Sequence, residues 1–186
     1  RYRWDNQPGI VDYCLSQLDQ ILNSQSTPDE TAAMIVEPVL GEGGFVPAPP
    51  RFLQGLRKIC DATGILLIVD EVQTGFGRTG EMWAHSSSNI VPDIMTMAKG
   101  IASGLPLSVI GASRNLMNKW PTGAHEGTYG GGSTLAMVAA IATLDIIQEE
   151  HLIENMVAMG KHLRKRLQEI VANTDLPTEV RGPGLM

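Results

Sequence analysis

The stretch Ile65–Asp70, with the sequence ILLIVD, is an apolar run that ends at a carboxylate. A second stretch, Ile94–Lys99 (IMTMAK), ends in the same way at an amine. Short apolar runs of this kind are typical of strands buried on both faces of a parallel sheet. Open α/β sheets bind ligands beyond the carboxyl ends of their strands. Asp70 and Lys99 are therefore candidates either for a common site or for a structural ion pair.

Strand and helix patterns alternate around this stretch. Ala32–Val36 is another apolar run and ends at Glu37, while residues 50–63 have helical spacing and are followed by Gly64. A strand, a helix and a strand in this order predict a βαβ unit with parallel strands. We also predict helices at 10–22, 134–150 and 151–172 and a strand at 107–112. The helix at 134–150 is apolar nearly all round, so we expect it to be buried.

The composition changes near residue 150, where an apolar helix gives way to an amphipathic and highly charged one. We predict that residues 1–150 are part of a large domain and that residues 151–186 form a linking helix and the beginning of a small C-terminal domain. The chain starts at Arg1 and stops at Met186 just after a turn-like sequence. We expect it to be the central part of a longer protein.

The bulk composition excludes several functional classes. The 186 residues are 43% hydrophobic and 18% charged, with a net charge of -6, as in an ordinary globular protein. An acidic chain offers no basic surface to nucleic acid, and no apolar stretch reaches the length of a membrane span. The four histidines show no metal-ligand spacing. We predict no nucleic-acid partner, no membrane association and no metal.

Asp70, Gln73 and Lys99 make chemical sense together as a pyridoxal phosphate site. This cofactor needs an amine that holds it as an imine and carries protons, and an anion that faces its pyridine nitrogen. Lys99 would supply the amine and Asp70 the anion. Gln73, three residues after Asp70, would donate a hydrogen bond to the ring hydroxyl oxygen.

Two glycine-rich motifs have more than one interpretation. Gly75–Gly80 has the spacing G-x-G-x-x-G, but residues intervene between the strand and the first glycine and no helical pattern follows. A dinucleotide fingerprint needs both, so we interpret the motif as a loop with tight turns around a site. Gly127–Gly132 precedes a helix capped by Ser133 or Thr134. It is either an anion site to which Thr128 adds a hydroxyl or a plain helix-entry turn.

The longest motifs resemble a known family. Ile68–Gly80 (IVDEVQTGFGRTG), followed by Pro92–Gly100 (PDIMTMAKG), closely resembles the signature of class III, or omega, aminotransferases. Val36–Gly44 and Gly127–Gly131 match the same family. The resemblance extends from about Ala32 to Met186 and is nearest to the 4-aminobutyrate aminotransferase branch.

The resemblance implies an aspartate-aminotransferase-like fold (pyridoxal phosphate fold type I). Its large α/β domain has a mostly parallel sheet with flanking helices, and a smaller C-terminal domain follows. Lys99 matches the family's Schiff-base lysine and Asp70 the partner of the pyridine nitrogen. Val72 matches the residue packed on the ring face, and Gln73 the contact to the ring oxygen.

Two further residues take roles from the resemblance. Thr128 matches the threonine that reaches the phosphate of the neighbouring subunit's cofactor, which implies a homodimer with shared sites. Glu37 matches the glutamate that pairs with a substrate-gating arginine. The family usually has Asn-Pro after its glycines, whereas this chain has Gly132-Ser133-Thr134, a departure that affects the loop near the phosphate.

The resemblance predicts transfer of an amino group from an ω-amino acid, such as 4-aminobutyrate, to a 2-oxo acid such as 2-oxoglutarate. Alternatives are an acetylornithine- or ornithine-type aminotransferase, an aminomutase, a decarboxylase or a non-catalytic homologue.

We expect a cytoplasmic protein, or one of the mitochondrial matrix in a eukaryote. The family's phosphate loop and ring-stacking aromatic belong upstream of Arg1 and its substrate arginine downstream of Met186. We therefore expect these 186 residues to be inactive alone.

Overall fold

The computed structural model of the chain describes residues 9–121, 123, 133–175 and 179–186. In chain order its helices and strands are α1 (Ile10–Ser24), β1 (Ala33–Val36), β2 (Val39–Leu40), β3 (Val46–Pro47), α2 (Pro50–Thr63), β4 (Leu66–Asp70), β5 (Ile94–Met97), β6 (Val109–Ala112), α3 (Arg114–Met117), α4 (Thr134–Glu149) and α5 (Leu152–Ala172). Short 3-10 helices lie at Pro28–Glu30, Ala84–Ser88 and Lys99–Ala102.

The sheet that organises the fold has the strand order β1-β4-β5-β6. Strands β1, β4 and β5 are parallel, which confirms the predicted parallel strands of the βαβ unit. Strand β6 is antiparallel to β5, because the chain returns directly beside β5 without a crossover helix. Strands β2 and β3 pair in a separate small antiparallel hairpin.

One face of the sheet is covered by α1 and α2, and this layer contains the main core. Leu67 and Val69 alternate along β4 and are completely buried against Leu53 and Cys60 of α2. Helix α2 begins with Pro50 at its first position. It ends where the amide of Gly64, at φ 79°, donates to the Cys60 carbonyl, because a left-handed residue terminates a helix most easily as glycine.

The opposite face of the sheet carries an exposed apolar row. Ile35, Ile68 and Ile94 are direct neighbours across β1, β4 and β5. Ile35 is 65% exposed. Together with Ile110 and Leu116 the row lines a depression of about 500 Å³. Apolar side chains on both faces of β4 explain why its sequence is a continuous apolar run rather than an alternating one.

Helix α4 differs from its prediction. Its small residues Ala136 and Ala140 are buried, but Leu135, Val138 and Ile141 are 59–69% exposed. The apolar residues surround the helix as predicted, yet packing against α5 and the Lys99–Ala102 turn covers only one side of it. The prediction of a buried helix was therefore wrong for the described structure. Neither α4 nor any other described helix has the length and apolar composition needed to cross a membrane.

The loop Gly75–Gly80 supports α5. A Cβ atom on Gly77 would lie 2.8 Å from Met156 Sδ, and one on Gly80 would lie 3.0 Å from a methyl group of Val157. Both glycines also have φ near 90°, where a side chain is strained. No helix starts at Gly80, so a dinucleotide fingerprint is not formed. The tight turns predicted for this loop are present, with the Gly80 amide donating a 2.8 Å hydrogen bond to the Gly77 carbonyl, and the two glycines also allow α5 to pack closely against the loop.

Candidate active site

The candidate active site lies where β4 and β5 end. Asp70 is the last residue of β4 and is opposite Thr96 of β5. Lys99 follows β5 by two residues and begins a 3-10 helix. Its exposed side chain reaches back across the strand ends, where Lys99 Nζ donates a 2.7 Å hydrogen bond to Gln73 Oε1. The structure therefore brings Lys99 and Gln73 into direct contact beside Asp70.

Asp70 and Lys99 do not form the structural ion pair that the sequence left open. The ion pairs found in the described part of the chain do not include these two residues. Asp70 Oδ1 accepts a 2.9 Å hydrogen bond from the Val72 amide. Its second oxygen receives no hydrogen bond from the described residues. A half-buried carboxylate with an unused acceptor is able to bind a proton-bearing ligand atom.

The backbone of Lys99 is in an unusual conformation. Its φ is 44°, in the left-handed region, and Ala98 before it has φ -162° and ψ -140°. Residues other than glycine rarely adopt the left-handed conformation. Such outliers occur preferentially at functional sites, where the surrounding structure maintains them. Here the conformation directs the end of β5 into the turn that carries the amine.

Glu37 and Gln73 are linked through one glycine. Glu37 follows β1, and its Oε2 accepts a 2.9 Å hydrogen bond from the Gly41 amide. A Cβ atom on Gly41 would lie 2.8 Å from Gln73 Oε1, so only glycine lets the Gln73 carboxamide stand where it contacts Lys99. Glu37 and Asp70 also line one cavity of about 370 Å³. The loop after β1 thus belongs to the same site.

The remaining two predicted site residues differ in what the structure says of them. Val72 is partly buried in the turn between Asp70 and Gln73. Thr128 and the whole Gly127–Gly132 motif lie outside the described residues.

Sequence reasoning missed a buried acid beside Asp70. The side chain of Glu71 is completely buried, and its Oε1 accepts a 3.0 Å hydrogen bond from the His85 amide and lies 2.8 Å from His85 Nδ1. The Thr74 hydroxyl donates to Oε2. Burial alone would raise the pKa of Glu71, but the hydrogen bonds from His85 and Thr74 outweigh it and hold this pKa below its usual value.

The only sequence signal for Glu71 is the pair of acids at the end of a buried strand. A buried carboxylate requires hydrogen-bond or ionic partners. If either Asp70 or Glu71 is buried, it must therefore find such partners inside the protein. Its partner His85 is 14 residues away, and no spacing rule connects the two.

A mostly parallel sheet with an acid, an amide and an accessible amine at its carboxyl edge defines a pyridoxal phosphate enzyme fold of type I. The chain belongs to the class III aminotransferase family, because the family model described as "Aminotransferase class-III" matches residues 5–186.

Relatives and solved structures agree with this assignment. The chain is 42% identical over 176 residues to a 5-aminovalerate aminotransferase of Pseudomonas putida, an alignment that covers 95% of the chain and 41% of the relative. It is 40% identical over 186 residues to a [LysW]-aminoadipate semialdehyde/glutamate semialdehyde transaminase of Sulfolobus acidocaldarius, covering 100% of the chain and 48% of the relative.

Among solved structures, a transaminase from the marine bacterium Virgibacillus superposes with a TM-score of 0.87 at 34% identity, covering 94% of the chain and 40% of that structure. The chain thus spans less than half the length of these proteins.

The site residues fit pyridoxal phosphate, the cofactor of this family. The cofactor's aldehyde and its ring hydroxyl are on neighbouring ring carbons. An amine that holds the first and an amide that contacts the second must therefore lie side by side, as Lys99 and Gln73 do at 2.7 Å. The pyridine nitrogen needs an anion with a free acceptor, which Asp70 offers at the end of the adjacent strand.

Proposed function

We propose that the protein transfers an amino group from an ω-amino acid, such as 4-aminobutyrate, to a 2-oxo acid such as 2-oxoglutarate. The observation that carries this proposal is the contact between Lys99 Nζ and Gln73 Oε1 at the carboxyl ends of the strands. The similarity to a relative named for 5-aminovalerate, itself an ω-amino acid, supports this class of donor.

Each site residue has a defined chemical task in this proposal. When bound, pyridoxal phosphate supplies a ring that absorbs the negative charge left on a substrate carbon. Lys99 would hold the cofactor and, once the substrate's amine has displaced it, its freed Nζ would take the proton from the substrate carbon as a base and deliver it to the cofactor as the conjugate acid. Asp70 keeps a proton on the pyridine nitrogen. Gln73 donates to the ring oxygen, and Val72 packs on the ring face and excludes water from it.

The proposal also assigns substrate discrimination and assembly. Glu37 would hold a substrate-binding arginine, from elsewhere in the protein, away when the donor is an ω-amine and release it for a 2-oxo acid. Its place beside Gly41 and Asp70 supports this role. Thr128 would contact the phosphate of the partner subunit's cofactor, so that the active form is a homodimer. The same proposal includes the domain division: residues 1–150 belong to the large domain, and residues 151–186 form the linking helix and the beginning of the small C-terminal domain.

Reduction with borohydride tests where the cofactor is attached. In the intact protein loaded with pyridoxal phosphate, reduction fixes the cofactor on its lysine, and peptide mapping identifies that lysine. We expect the label on the peptide that contains Lys99. Lys58 on α2 and Lys119 after α3 serve as internal controls. A label on either of them, or a protein that takes up no cofactor, would contradict the proposal and favour a non-catalytic homologue.

Half-reactions distinguish the alternative activities. Single-turnover amination of the cofactor is measured with 4-aminobutyrate, 5-aminovalerate, ornithine and acetylornithine, and carbon dioxide release is followed in parallel. The proposal predicts that 4-aminobutyrate reacts fastest without loss of carbon dioxide. Faster reaction of ornithine or acetylornithine would assign the protein to those activities, and release of carbon dioxide would indicate a decarboxylase.

A further inference from the structure

The buried carboxylate of Glu71 lies in the chain between the proposed cofactor contacts, with Asp70 before it and Val72 and Gln73 after it. We propose that Glu71 is a positioning residue for cofactor binding: its carboxylate, held by Thr74 and His85, fixes the turn that presents Asp70 and Gln73. This inference rests on the proposed function, since it assumes that Asp70 and Gln73 bind the cofactor.

The hydrogen bonds of Glu71 join both ends of one loop. Thr74 donates to one carboxylate oxygen from within the turn, and His85 binds the other oxygen through its backbone amide and its ring. The Gly75 amide closes the turn on the Glu71 carbonyl at 3.0 Å. Desolvating a carboxylate is costly unless several donors compensate. With these donors in place, the turn has few alternative conformations.

The backbone of Glu71 also connects this turn to the strand that carries the lysine. The Glu71 amide donates a 2.9 Å hydrogen bond to the Thr96 carbonyl of β5. Lys99 follows Thr96 by three residues. Asp70, Gln73 and Lys99 are thus fixed relative to one another through Glu71, and displacement of catalytic groups by about 1 Å is enough to impair an enzyme strongly.

Substitutions at His85 and Glu71 remove different numbers of the hydrogen bonds to the Glu71 carboxylate. The ring side chain of His85 is 11% exposed and borders a cavity of about 950 Å³, so removal of the ring deletes one partner of Glu71 and enlarges this cavity. His85→Ala deletes one donor to Glu71 but keeps the backbone amide. Glu71→Ala removes the acceptor and leaves Thr74 and His85 donors unsatisfied. Glu71→Gln keeps an acceptor oxygen for His85 and serves as the conservative variant.

Asp93 provides a matched control at the opposite end of the same strands. Its carboxylate is also engaged by a backbone amide and a side chain, those of Leu67 and Arg57. Asp93→Asn should therefore lower stability as the Glu71 variants do. It does not touch the turn that carries Asp70 and Gln73, so cofactor binding should be unchanged.

The experiment uses the intact protein and measures two properties other than activity: the dissociation constant of pyridoxal phosphate and the visible circular dichroism of each bound cofactor. We expect Glu71→Ala to weaken cofactor binding by at least about tenfold and to reduce the circular dichroism, which reports a fixed ring orientation. His85→Ala should give a smaller change in the same direction, and Glu71→Gln should retain most of the wild-type values.

Several results would overturn the inference. Unchanged affinity and circular dichroism in Glu71→Ala would show that the acid only stabilises the fold. Equal losses in Asp93→Asn would show that both properties follow global stability. If Glu71→Ala does not fold, the same criteria apply to His85→Ala. A wild-type protein that binds no cofactor would overturn the proposed function and this inference together, whereas normal wild-type binding with unaffected variants would overturn this inference alone.

Discussion

The two ends of the parallel strands carry similar charged residues that are used differently. At the amino end, Arg57 binds Asp93 at 2.7 Å and Asp61 at 2.9 Å, and Asp93 also accepts a hydrogen bond from the Leu67 amide. At the carboxyl end, Asp70 and Lys99 have no ionic partner among the described residues. Charges satisfied inside the protein stabilise it, whereas charges with unused hydrogen-bonding capacity are available to a ligand.

At the amino end of the strands, the pKa shifts of Asp93 and Arg57 also show that both charges are satisfied inside the protein. Burial opposes the charge of Asp93, but the Leu67 amide and the Arg57 side chain outweigh it and lower the pKa of Asp93. Burial likewise opposes the charge of Arg57, and its bonds to Asp93 and Asp61 outweigh that effect and raise the pKa of Arg57. Each partner holds the other in its charged form. We therefore expect substitutions at the amino end of the strands to change mainly stability, and substitutions at the carboxyl end to change mainly activity.

The largest effect is expected from Lys99→Ala. In the proposed mechanism the side chain supplies both the attachment of the cofactor and the proton transfer, and general acid–base catalysis alone contributes about 10²–10⁴-fold. Transamination should be almost completely lost, and cofactor binding should become reversible on gel filtration. Because the side chain is exposed, stability should change by no more than about 0.5 kcal/mol. Retention of a substantial rate would remove Lys99 from the mechanism.

Asp70→Asn should have the second largest effect on the rate. The substitution keeps the shape of the side chain and removes the anion that we propose to face the pyridine nitrogen. A charge-assisted hydrogen bond of this kind contributes roughly 1.5–3 kcal/mol, so the rate should fall about ten- to hundredfold. Steady-state kinetics of the loaded protein measure it. Unchanged turnover would mean that Asp70 is structural, like the acids at the amino end.

Asp93→Asn should lower stability and leave the rate unchanged, the opposite of what we expect for Lys99→Ala and Asp70→Asn. The variant loses the ion pair with Arg57, a partly exposed interaction for which about 1 kcal/mol is expected. Urea denaturation should show this loss while the transamination rate stays at the wild-type value. A large fall in rate with unchanged stability would contradict the division between the two ends.

Glu37→Gln should change selectivity more than the overall rate. The amide still accepts the hydrogen bond from the Gly41 amide but no longer attracts an arginine. We expect the half-reaction with the ω-amino donor to slow more than the half-reaction with glutamate. Stopped-flow measurement of the two half-reactions tests this, and equal effects on both would refute a gating role.

The smallest effect concerns acid stability. The pKa of Glu71 is lower in the folded protein than in the unfolded chain. Its stabilising contribution is therefore complete above the ordinary glutamate pKa, about 4.3, and is lost as the pH falls through the lower folded-state value. Glu71→Gln should flatten the decline of the unfolding free energy as the pH falls below about 4.3, measured by urea denaturation at a series of pH values. An unchanged slope would show that folding does not lower the pKa of Glu71.

The parts of the fold that the sequence predicted well are those that local physics determines. Strands β1, β4 and β5 and helix α2 agree with the predictions to within about a residue, because apolar runs, Pro50 and Gly64 set their limits. The direction of β6 and the exposure of α4 depend on which surfaces meet, and periodicity does not determine that. Lys99, Gln73 and Asp70 were proposed as a site from their chemistry, whereas Glu71 and His85 meet only through the folded loop.

Selection for folding alone would not retain the backbone conformation at Lys99. A left-handed residue with a side chain costs about 1–2 kcal/mol relative to glycine, and the φ of Lys99 is 44°. A population screened only for thermal resistance should therefore accumulate glycine at position 99 and lose the amine. Under the proposed function, stability and activity make opposite demands on this single residue. Stabilised descendants of the protein should consequently gain their resistance elsewhere if they are to remain catalysts.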